Sequence, residues 1–154
     1  MRRLFRFLAL VLALAGGGTA AAQVAAPAPT GPERQLPSSV LAVFRKAFPN
    51  ADITGADQQR QDGKIVFSVE CQDGPRQRRL VYALDGAVVE SAEQVTEAEL
   101  PDAVRNAMRS YKRVTFLRGM RVTRGARVQF DLAVRGTRRT RMILEPDGTV
   151  VSFK

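Results

Sequence analysis

Leu36-Pro37-Ser38-Ser39-Val40-Leu41-Ala42-Val43-Phe44-Arg45-Lys46-Ala47-Phe48 decides how this chain is read, because it returns as Leu100-Pro101-Asp102-Ala103-Val104-Arg105-Asn106-Ala107-Met108-Arg109-Ser110-Tyr111. Each copy carries a proline in the first turn of a helix, where its missing N–H would have had no partner. Val40, Val43, Phe44, Ala47 and Phe48 then form one apolar stripe at helical spacing, and Val104, Ala107, Met108 and Tyr111 repeat it. Pro49 ends the first helix, and Asp102 sits in the first turn of the second, where the helix dipole favours an acid. A fixed internal period decides architecture before any local detail. Here the period is 64 residues from Leu36 to Leu100 and 62 from Asp85 to Asp147.

Working outward, each helix is followed by alternating polar and apolar residues cut by turns. In the first copy the extended segments are Asp52 to Gln58, Ile65 to Cys71, Arg78 to Leu84 and Ala87 to Ser91, separated by Asp62-Gly63, Asp73-Gly74-Pro75 and Asp85-Gly86. Ile65, Phe67, Val69 and Cys71 share one face; Leu80, Tyr82 and Leu84 are in phase on the next strand. In the second copy Met120-Arg121-Val122 begins a strand and Arg124-Gly125 turns it. Val128, Phe130, Leu132 and Val134 point inward, opposite Arg127, Gln129, Asp131 and Arg135. Thr140, Met142 and Leu144 point in while Arg139 and Arg141 point out, and Asp147-Gly148 leads to a last strand from Thr149 to Phe153. The expected class is α+β: two tandem repeats, 36–99 and 100–154, each one helix packed on a four-stranded antiparallel sheet, with both helices on the same face. A single helix per repeat covers one face of its sheet and leaves the other wet.

The first 35 residues are of another kind. Arg2, Arg3 and Arg6, then the apolar run Leu4 to Ala15, then Thr19-Ala20-Ala21-Ala22, predict an export signal over 1–22 cleaved between Ala22 and Gln23. A membrane anchor is the competing reading, but Gly16-Gly17-Gly18 interrupts the apolar run short of the roughly 20 residues that span a bilayer. Residues 23–35, rich in Ala with Pro27, Pro29 and Pro32, read as a linker. The expected destination is the periplasm or the exterior, without a transmembrane segment once the signal is removed and as a monomer. Cys71 alone cannot close an internal disulfide, and it reads as a small strand residue.

Charge is uneven. Between 23 and 99 there are 8 Lys/Arg against 11 Asp/Glu; between 100 and 154 there are 13 against 4. The second repeat is expected to face an anionic partner. Arg121, Arg127, Arg135, Arg139 and Arg141 are the candidate partner-binding residues, assigned by alternation to the wet face. Solvated surface charge is the plainer reading, yet Lys and Glu would serve that purpose equally, and Arg is the side chain suited to bidentate contacts with carboxylate or phosphate.

The chain has no histidine, which removes the usual general base for a Ser or Cys nucleophile and the commonest transition-metal ligand. Glu70, Asp131 and Glu145 remain as possible acid–base carboxylates, but Glu70 and Asp131 are placed on exposed sheet faces, and Asp62, Asp85 and Asp147 belong to turns. No enzyme activity, no catalytic residue, no cofactor and no metal is expected.

Leu36-Pro37-Ser38-Ser39-Val40, Phe48-Pro49-Asn50-Ala51, Asp62-Gly63-Lys64, the strand Ile65 to Cys71 and Asp85-Gly86 together resemble the PepSY-like, or β-lactamase-inhibitor-like, family. The second copy departs from that pattern, with Lys112-Arg113 in place of Phe-Pro and Arg124-Gly125 in place of the first Asp-Gly. The resemblance implies that the two sheets merge into one broad curved surface, that the protein is exported, and that it acts by binding. The function it implies is a non-catalytic module binding through its open sheet face, as an inhibitor or modulator of an envelope or secreted hydrolase. The alternative is a binder of an anionic envelope polymer, lipopolysaccharide or an acidic glycan, through the arginines of the second repeat. The partner is therefore expected to be an acidic protein or an anionic polymer of the envelope. Nucleic acid is disfavoured, since Phe116, Phe130 and Phe153 are assigned to the core rather than to stacking on bases.

Overall fold

A computed structural model describes residues 31–111 and 114–154. The signal, its expected cleavage point at Ala22 and Gln23, and linker residues 23–30 lie outside the described residues. The elements are helix α1 (Ser38–Ala47), strands β1 (Asp52–Gln61), β2 (Lys64–Asp73), β3 (Arg76–Ala83) and β4 (Val88–Val95), helix α2 (Asp102–Ser110), and strands β5 (Thr115–Arg124), β6 (Arg127–Arg135), β7 (Arg139–Leu144) and β8 (Val150–Phe153). All eight strands form one open antiparallel sheet in sequence order. The chain is α+β.

Local chemistry sets the element ends. Pro37 precedes α1 and Pro101 precedes α2. The Phe48 N–H, 2.8 Å from the Phe44 carbonyl, closes α1 before Pro49. A 3-10 turn over Glu97–Glu99 leads into α2, and Glu99 accepts from both the Thr96 backbone N–H (2.8 Å) and the Thr96 hydroxyl (3.0 Å). The β1–β2 hairpin turns at Asp62 (φ 50°) and Gly63 (φ 78°), the positive φ pair that matches strand twist.

Each helix lays its buried residues on the sheet face beneath it. Val40 and Phe44 of α1 pack with Phe67, Val69, Cys71, Leu80 and Tyr82, and Val104 and Met108 of α2 with Val95, Phe130, Leu132, Val134, Met142 and Leu144. The register makes these one face: Leu80 opposes Ser91, Glu93 opposes Arg121, and Val95 opposes Gly119, which opposes Leu132. Both helices therefore lie on the same side of the sheet.

Several expectations need correction. Leu84 is 61% exposed and Ile65 43%, both beside hairpin turns, and Val43, on α1, is 39% exposed where the helix borders the Asp85-Gly86 turn. Phe153 is exposed rather than core; it lies on edge strand β8 and stacks on Tyr111 with ring centroids 4.9 Å apart. Strand β5 starts at Thr115, not Met120. Gly31–Gln35, the end of the expected linker, form a 3-10 turn that Glu33 ties to Arg45 through an ion pair.

The larger correction concerns the face without helices. Val66, Ser68, Val81, Glu90, Ala92, Val122 and Gln129 all point to that side by register, and all are buried. It is not uniformly wet. The sheet curls so that long side chains of neighbouring strands close over the middle of this face.

Candidate interaction face

The curl leaves a hollow on the open face. On a flat sheet, strands β2 and β6 would lie about 19 Å apart. Yet Glu70 from β2 and Asp131 from β6 line a single cavity of about 340 Å³, together with Arg79, Ala92, Met120 and Val122. A second hollow of about 500 Å³ continues it toward the last strands, sharing Arg118, Met120, Asp131 and Arg141 and adding Arg139, Thr140 and Lys154. The two form one trough across the strands, floored by small or apolar side chains and walled by charged ones.

Ion pairs sort those charges into spent and unspent. Glu90 of β4, 4% exposed, accepts from Arg79 of β3 at 2.9 Å and from Arg124 of β5 at 2.6 Å. Asp131 accepts both the Nε (2.7 Å) and an Nη of Arg141, and this fork raises the guanidinium pKa above its ordinary value. Arg127 is held by Glu145 at 2.7 Å. Arg118, Arg135, Arg139 and Lys154 are exposed and make no ion pair among the described residues. The basic half of the open face therefore keeps uncompensated charge, concentrated around β5, β6, β7 and the chain end.

Of the five arginines named from sequence, Arg127, Arg135, Arg139 and Arg141 lie on the open face, as their pairing with β5 and β7 shows. Arg121 does not. It pairs across from Phe130 on the helix side and joins Glu93, which also accepts from Arg78 at 2.5 Å. Burial works to lower the Arg78 pKa, but its hydrogen bonds to Asp73 and Glu93 outweigh that and raise it. Met120 and Val122, the neighbours of Arg121, line the hollow of the open face, which leaves Arg121 on the opposite, helix side. Arg118 was missed. The register shifts between Phe116 and Arg118, and this bulge puts Arg118 in phase with Met120 rather than with Phe116.

Glu70 faces the trough, and Asp131 is committed to Arg141, so the two carboxylates do not form an acid–base pair. Among the described residues, no three His, Cys, Asp or Glu side chains cluster to hold a metal ion. Cys71 lies in the first core, where burial above all, then nearby Asp73, raises its thiol pKa.

Solved structures share this fold at low identity. A protein of Bacteroides eggerthii named as periplasmic matches with a TM-score of 0.63 and 19% identity, over 77% of this chain and 88% of its own. A DUF2874 family protein of Bacteroides ovatus gives 0.60 and 17%, over 77% and 86%. A BLIP-like protein of Bacteroides fragilis gives 0.58 and 15%, over 77% and 85%. At these identities the likeness establishes the fold alone, which is BLIP-like. No protein-family model and no curated protein matches the chain. No described helix is long and apolar enough to cross a membrane.

Proposed function

We propose that this chain is an exported, non-catalytic binding module of the cell envelope, built from two PepSY-like repeats, whose curved open face engages an acidic partner protein. The half formed by β5–β8 supplies the main contact and the first half acts chiefly as scaffold. The observation that carries this reading is the set Arg118, Arg135, Arg139 and Lys154, exposed on or beside one concave face and making no ion pair among the described residues. Uncompensated guanidinia on a hollow surface bind carboxylates in preference to water only when a partner excludes that water. A periplasmic location is supported by the neighbour named as periplasmic and by the charged and apolar start of the chain. The BLIP-like neighbour favours inhibition or modulation of a hydrolase as the form the binding takes.

A second reading, an anionic polymer such as lipopolysaccharide or an acidic glycan, is favoured by one feature: Arg135, Arg138 and Arg139 crowd the exposed β6–β7 hairpin. One experiment separates the two. Affinity capture from envelope extract is run with the wild type and with Arg135→Glu/Arg139→Glu, alongside titration of purified lipopolysaccharide. These positions are chosen over Arg127, which Glu145 already holds. The expected result is capture of an acidic protein that the double variant loses while its melting temperature holds, since exposed substitutions move stability by about 0.5 kcal/mol or less. Equal capture by the variant overturns the proposal, and tight lipopolysaccharide binding that weakens steeply with salt supports the polymer instead.

A further inference from the structure

We infer that the trough is bipolar and receives a short extended segment of the partner, a basic residue of that segment meeting Glu70 and its acidic residues meeting Arg118 and Arg139. This rests on the binding reading above and names the chemistry of what binds. Glu70 enters the trough from β2. Directly across from it on β3 stands Arg79, the obvious partner, but the Arg79 guanidinium turns to Glu90 instead. Glu70 is thus exposed and makes no ion pair among the described residues. The same Glu90 draws Arg124 from the other side, so one buried acid takes up Arg79, which lines the trough, together with an arginine of β5.

At the far end the sign reverses. Arg118 and Arg139 make no ion pair among the described residues, and Arg141 is pinned by Asp131, which fixes its plane. Between the ends the floor is Ala92, Met120 and Val122, without charge. A polyanion fits this poorly: it would meet the Glu70 carboxylate repulsively and leave the apolar floor wet. An extended peptide can present opposite charges at its ends and apolar side chains between them. From β2 to β5 is three strand spacings, about 14 Å, and to β7 about 24 Å if flat, a span that curvature shortens. At about 3.3 Å per residue this calls for a segment of about five to seven residues.

The test is selection of displayed random dodecapeptides on the immobilised protein. The expected consensus has Lys or Arg separated from Asp or Glu by about four to six residues, following the same strand spacings. Binding of the selected peptides should fall by about tenfold in Glu70→Lys and again in Arg139→Glu, with melting temperatures unchanged. If either variant melts early, Glu70→Gln and Arg139→Gln make the same comparison without charge reversal. A purely acidic consensus that Glu70→Lys binds more tightly overturns the bipolar trough and leaves the basic-face reading standing. Selected peptides indifferent to Arg139→Glu overturn both. Preferential binding of lipopolysaccharide vesicles over every selected peptide overturns a protein segment as the occupant.

Discussion

Gly148 stands where an Asp-Gly turn touches the helix above it, and the contact leaves room for no side chain. Its φ is +88°, and a Cβ there would lie 2.7 Å from the Ala103 carbonyl oxygen in α2. Gly86 occupies the matching turn under α1 with φ +87°, but the nearest atom to its Cβ would be a Val43 methyl at 3.0 Å, with the Ser39 carbonyl at 3.3 Å. A methyl can move and a helix carbonyl cannot. Gly148→Ala is therefore expected to destabilise by about 2–4 kcal/mol, adding left-handed strain to a backbone clash, and Gly86→Ala by about 1–2. Urea midpoints of the two variants decide the order. At Cys71, 2% exposed with its thiol pKa raised by burial, a thiol reagent such as DTNB should react slowly in the native state and rapidly in urea. Rapid native labelling would show that the first core opens locally.

Among the elements, β4 has the unusual role. Two apolar cores lie side by side on the helix face, and between them the ladders that join β3, β4 and β5 are reinforced by charge. On the open side Glu90 bridges Arg79 and Arg124, and on the helix side Glu93 bridges Arg78 and Arg121. Strand β4 thus clamps its two neighbours on both faces, each acid taking one arginine from either side. Glu90→Ala is expected to cost about 1–2 kcal/mol, less than breaking a fully buried pair, because Arg79 and Arg124 are half-exposed and can return to water. In the Glu90→Ala background, Arg79→Ala should add little, and a double-mutant cycle by thermal melting measures that coupling. Full additivity would mean that the bridge contributes nothing.

Across the whole molecule, part of the acid sensitivity should come from two surface carboxyls, Glu99 and Asp147. Hydrogen bonds from the Thr96 backbone and hydroxyl, then Arg76, hold the Glu99 carboxyl below its usual 4.5. The Thr149 backbone N–H holds Asp147 below its usual 3.8. Carboxyls depressed in the folded state contribute stability that is complete above their usual values and is lost as pH falls through the lower folded ones. One carboxyl caps the approach to α2 and the other forms the turn into β8. The melting temperature should therefore be flat from pH 7 to about 5 and fall below about 4, with a shallower fall in Glu99→Gln and Asp147→Asn. An unaltered acid limb in both variants would place the acid sensitivity elsewhere.

The sequence by itself determined what depends on near neighbours along the chain. The two helical stripes, the proline starts, the Asp-Gly turns and the inward set Phe130, Leu132 and Val134 were legible because helix and strand periods act over a few residues. Four of the five candidate arginines were placed on the correct face by the same alternation. What failed needed the tertiary structure. One bulge between Phe116 and Arg118 set the phase of β5, so Arg118 gained a place on the open face, while Arg121, on the opposite phase, belongs to the helix side. The curl of the sheet buried Val66, Ser68, Val81 and Glu90 on a side that alternation alone marks as wet. Which charges remain unspent was illegible for a further reason: Glu90 finds Arg124 across 34 positions and Glu93 finds Arg121 across 28, and only strand order and register bring such distant groups within hydrogen-bond reach.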